Sequence, residues 1–146
     1  MKRSQKFTSI LKLAQVEELK ASSQMQKSLA QLKKLDAALL DLQRYQTEYS
    51  LQYQNYKTKS VTVGDLKRFQ AFMEQIQKAI LQQENMLKKY RLDAENTLNA
   101  WLRKQGRVIA LRNATETMQQ TEEVESERRE QSRADEINTN KHRSTE

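Results

Sequence analysis

The sequence predicts an all-α fold, an antiparallel two-helix coiled-coil hairpin with a longer second helix and a frayed C-terminal tail. Three observations predict it. The chain of 146 residues has no proline and only two glycines, and residues that tolerate helix dominate it. Its apolar residues recur at alternating steps of four and three in both halves, the mark of a left-handed coiled coil. A single stretch between the halves, Lys57 to Leu66, breaks that rhythm. Hydrophobic residues make up 36% and charged residues 31%, too little apolar material for a thick core but enough for a narrow seam.

Taken in order, residues 1–6 are expected to fray, and helix 1 to run over about 7–57. Its seam passes through Phe7, Leu11, Ala14, Glu18, Ala21, Met25, Ser28, Leu32, Leu35, Leu39, Leu42, Gln46, Tyr49, Tyr53 and Tyr56. A turn is expected at about 58–62, where Ser60 to Val63 is rich in β-branched residues. Thr62 can cap the next helix, and Asp65 places negative charge at its positive end. Val61 and Leu66 are spaced as a hydrophobic staple.

Helix 2 is expected over about 63–133, followed by a mobile tail at about 134–146. Its seam starts Leu66, Phe69, Met73, Ile76, Ile80, Gln83, Leu87 and continues in step to Met118. Beyond Met118 the seam positions become Glu122 and Glu125, so apolar partners run out. Folding the chain at the turn sets Leu35 opposite Leu87, Leu32 opposite Tyr90 and Leu11 opposite Leu111. It also sets small Ala21 against Trp101, Ser28 against Ala94, and Glu18 against Lys104. These complementary pairs favour a monomeric hairpin over a parallel dimer, in which Glu18 would face Glu18. A domain-swapped antiparallel dimer keeps the same pairs.

Composition narrows the function. The chain has no cysteine and one histidine, His142, in the tail, so neither a thiolate site nor a histidine cluster is available. Neither glycine belongs to a phosphate-cradling loop. The expectation is a protein without enzymatic activity, cofactor or metal. No signal-peptide run and no apolar stretch of membrane-span length is present, which predicts a cytoplasmic protein.

The net charge is +7, and acidic residues outnumber basic ones from Glu122 onward, so the remaining body is more basic still. Such a surface suits nucleic acid, anionic lipid or an acidic protein face. A nucleic-acid-binding hairpin is the rival from another class, and salt-dependent binding of a short duplex would discriminate it. Its arginines are not gathered on one stripe, so nucleic acid is not the expected partner. At the turn end Tyr45, Tyr49, Tyr53 and Tyr56 meet Phe69 and Phe72 in an aromatic cluster. Phe72 lies off the seam, and with Ile76, Ala79 and Gln83 it forms a stripe that leans to one side, a candidate docking site.

Three segments resemble the family of the flagellar export protein FliJ. They are Tyr45-Gln46-Thr47-Glu48-Tyr49; Phe69-Gln70-Ala71-Phe72 followed by Lys78-Ala79-Ile80; and Leu98-Asn99-Ala100-Trp101 followed by Lys104. The resemblance covers nearly the whole chain. It implies an antiparallel coiled coil, similar to the central stalk of rotary ATP synthases, that inserts into the ring of the flagellar export ATPase (FliI-like). It further implies contact with the cytoplasmic domain of an FlhA-like export gate, escort of export chaperones, and a place at the inner face of the cell membrane. Carried over, the gate contact falls on Phe72, Ile76, Ala79 and Gln83, where Gln83 departs from the family's histidine. By analogy with the rotary stalk, the ATPase contact falls at the end holding both termini, around Leu11, Leu13 and the helix beyond Thr115, including Met118. The stalk of a virulence type III secretion system, the YscO-like proteins, is the close alternative within this class.

Overall fold

A computed structural model describes residues 2–56 and 61–144. It is all-α, with two antiparallel helices: α1 spans Arg3–Tyr56 and α2 spans Val63–Ser144. The first part of the expected turn, residues 57–60, lies outside the described residues. The part that is described behaves as the sequence predicts. The Asp65 backbone N–H donates to Thr62 Oγ1 at 3.2 Å, so Thr62 satisfies one of the free donors in the first turn of α2. Val61 and Leu66 are both half-buried on either side of that cap.

The chain divides into two compact units. One joins α1 up to Lys20 with α2 from Leu102 onward, and the other runs from Ala21 to Trp101. In the Ala21–Trp101 unit, Ile76, Ile80, Leu87 and Ala94 of α2 are buried, and Leu32, Leu35, Leu39 and Leu42 of α1 are half-buried against them. The direction of the helices follows from their contacts. Asp36 pairs with Arg91 at 3.6 Å, Gln46 Nε2 donates to Gln77 Oε1 at 2.7 Å, and the Tyr53 ring stacks on Phe69 with centroids 4.6 Å apart. Partner numbers fall as residue numbers rise, which is the antiparallel register. Gln83 Nε2 also donates to the Leu35 carbonyl at 3.2 Å, so a polar seam residue is satisfied by the opposite backbone.

In the unit containing the start of α1, Ala14, Val108 and Thr115 are buried. Here Lys104 Nζ donates to Glu17 Oε2 at 2.9 Å. The predicted partner of Lys104 was Glu18, one position along. Glu17 sits at the flank of the seam, and both side chains of the observed pair keep about two-fifths of their surface in water. Pairing at the flank therefore avoids much of the desolvation cost that a fully buried ion pair carries.

The helix ends differ from the predicted boundaries. Helix α1 starts at Arg3 rather than about residue 7. Ser4, expected to fray, is buried, its backbone N–H bonded to Glu122 Oε1 at 3.2 Å and its hydroxyl to Glu122 Oε2 at 2.5 Å. A carboxylate of α2 thus serves the open first turn of α1 and lies at its positive end. At the other extreme, α2 is helical to Ser144, through the stretch predicted as a tail. Every described residue from Glu123 onward is exposed, so local propensity and pairs such as Glu125–Arg129 at 3.9 Å carry this segment, not a seam. Within α2, a Cβ at Gly106 would meet nothing within 4 Å, so packing does not require glycine there.

Candidate functional site

The stripe that leans off the seam lies wholly in the Ala21–Trp101 unit, on α2. Its members do not share one environment. Phe72 is 40% exposed, and its ring meets Tyr49 of α1 edge-on, with centroids 4.6 Å apart and planes at 67°. Ile76 is 7% exposed and belongs to the core. Ala79 is half-buried, and half-buried Gln83 spends its amide on the Leu35 carbonyl. The side that faces solvent is thus headed by Phe72, continues over the edges of Ala79 and Gln83, and excludes the Ile76 side chain. An open groove lined by Tyr49, Asp65, Arg68, Phe69 and Phe72 adjoins it.

One exposed residue extends this flank beyond the predicted stripe. Met86 follows Phe72 and Ala79 at intervals of seven, which keeps all three on one side of α2. The seven-residue spacing was the signal for Met86. Tyr45 is exposed on α1, and Tyr56, expected in the seam, is exposed at the end of that helix. Tyr49 and Tyr53, both seam positions, pack on α2 through Phe72 and Phe69.

The second candidate region lies in the other unit. Leu11 and Met118 are half-buried along its seam, whereas Leu13 stands on the outer face at 64% exposure. Ile10, Val16 and Leu19 are exposed near Leu13, a cluster that seam periodicity does not reveal because none of the four is a seam position.

Two carboxylates here are held below their ordinary range. The Lys104 hydrogen bond and then the Lys104 charge lower the Glu17 pKa, with smaller help from Arg107 and Lys20 and opposition from desolvation. The Ser4 hydroxyl and then the Ser4 N–H lower that of Glu122, with the Lys2 charge adding to them against desolvation. A depressed folded-state pKa contributes stability that is present above the unfolded carboxylate value, about 4.3. That stability is lost as pH falls through the lower folded value. Thermal unfolding followed by circular dichroism should therefore show a loss of stability below about pH 4. Glu122→Gln should remove part of that acid dependence and lower the neutral-pH melting point toward the acid one. An unchanged pH profile in the variant would refute the role of Glu122.

Among the described residues, no group of three or more His, Asp or Glu side chains is placed to share a metal ion. No described helix is long and apolar enough to cross a membrane. Compared with known proteins, residues 2–146 match a family model described as Flagellar FliJ protein. No curated protein and no solved structure matches the chain.

Proposed function

Because the chain belongs to the FliJ family of flagellar proteins, we propose that it is a non-enzymatic stalk of the flagellar protein export apparatus. Family membership ties it to flagellar export. In the proposed role, the unit holding both ends of the chain, with Leu11, Leu13 and Met118, enters the ring of the export ATPase. The flank of the other unit headed by Phe72 docks on the cytoplasmic domain of the transmembrane export gate. The protein escorts export chaperones between cycles, works in the cytoplasm at the inner face of the membrane, and is needed for flagellum assembly and motility.

The observation that carries this proposal is the extent of the family match, from residue 2 to residue 146, which takes in both helices and the seam between them. The physical chemistry is compatible with it. Two antiparallel helices resist bending more than one, and charged outer faces suit several weak, salt-sensitive contacts rather than one locked interface. A stalk that binds assembled rings more tightly than single subunits drives assembly by that difference alone. Such work needs no reacting group.

The test has two arms. Adding the protein to purified export ATPase should raise both ATP turnover and hexamer content, and no change in either would sink the ring assignment. In pull-downs with the gate's cytoplasmic domain, Phe72→Ala should weaken binding by about 2 kcal/mol, roughly thirtyfold. Capture of the ATPase should persist.

A further inference from the structure

We propose that the outer face of α1 between Ile10 and Leu19 is a docking surface for anionic lipid. The proposal goes beyond the stalk function: Leu13 is assigned there to the ATPase ring, so ring and lipid occupy this face in turn, lipid when the protein is outside the ring. Four large apolar side chains, Ile10, Leu13, Val16 and Leu19, are exposed within ten residues, with Leu13 at 64% and Leu19 at 67%. Single apolar residues on a surface are ordinary, but four so close along one helix are not scattered singly. Lys2, Lys6, Lys12 and Lys20 are exposed around them. The acids of the same stretch do not offset these lysines on the outer face. Glu17 is bonded to Lys104, and Glu18 is half-buried at the seam.

The spacing decides what can cover this face. A partner helix needs apolar residues at alternating steps of four and three, which keep to one straight stripe. Positions 10, 13, 16 and 19 advance by three each time. Each step therefore turns by roughly 60°, and the set wraps across the outer face as a convex arc. A rigid helix touches such an arc at only one or two residues. A second copy of this chain would also bring its own lysines against these. A fluid, negatively charged interface has neither difficulty. It closes around a convex apolar arc, while the lysine stems lie along the surface and their ammonium groups reach the lipid phosphates.

The experiment is cosedimentation of the full-length protein with phosphatidylcholine vesicles, with and without phosphatidylglycerol, at low and high salt. Binding is expected only to the phosphatidylglycerol vesicles and should fall as salt rises. The double variant Leu13→Ser with Leu19→Ser should bind at least roughly tenfold more weakly, as should Lys6→Glu with Lys12→Glu. All four side chains lie outside the seam, so helix content by circular dichroism should be unchanged. Absence of binding to phosphatidylglycerol vesicles overturns the proposal and leaves the face to a protein partner. So does equal binding to neutral vesicles, or unaltered binding by the leucine variant.

Discussion

Leu87→Ala should destabilise the protein by about 2–3 kcal/mol, the low end of the range for truncating a buried leucine. Leu87 is 2% exposed, the most completely buried large side chain described. Ile80 and Ala94, one heptad to either side on α2, are also buried, and the predicted register sets Leu87 opposite half-buried Leu35. A seam only two helices thick has solvent close on both flanks. Water or a neighbouring side chain can enter the space left by the mutation, so the cavity penalty stays small and the lost transfer energy dominates. In urea, the midpoint should fall while the slope is unchanged, because the native contacts elsewhere persist. The control is Leu92→Ala. Leu92 is exposed on the same helix, and its loss should change stability by no more than about 0.5 kcal/mol. Equal effects of the two substitutions would mean that the four-three rhythm does not mark the seam.

The seam was legible because an antiparallel pair of helices asks so little of a sequence. From Leu66 to Met118, every position selected by the rhythm on α2 is buried or half-buried, and from Phe7 to Tyr53 the same holds on α1. Spacing determines burial when only one stripe per helix can be covered. The helix ends were less legible, for two different reasons. The start of α1 depends on Ser4 meeting Glu122, a contact 118 residues apart that no local propensity encodes. The C-terminal stretch lacks apolar seam partners, which suggested fraying, yet it also lacks proline and glycine to stop a helix already under way. The shift from Glu18 to Glu17 as the partner of Lys104 belongs to a third kind. Periodicity places residues within one step, whereas a charged side chain chooses the step that keeps it wet.

The candidate docking stripe shows the same limit at the level of function, and it leads to the sharpest contrast between two substitutions. Spacing set Phe72 off the seam and Ile76 and Gln83 on it, yet grouped them with Ala79 as one stripe, because it does not say how deeply a seam position is covered. The structure separates Phe72 from Ile76 at 40% and 7% exposure. Ile76→Ala should therefore cost about 2–4 kcal/mol of stability, since it empties a core position. Where the variant is still folded, its affinity for the gate domain should be nearly unchanged. Phe72→Ala should do the reverse. It forfeits mainly the edge contact with Tyr49, about 1 kcal/mol, while removing the aromatic group best placed to anchor a partner. Denaturant unfolding and titration calorimetry on both variants give the two axes. Should Ile76→Ala weaken gate binding as much as Phe72→Ala at a temperature where both are fully helical, the seam must open on docking. The partner would then grip a rearranged pair of helices rather than the closed face seen here, because a side chain this deeply covered can touch a gate only after α1 has moved aside.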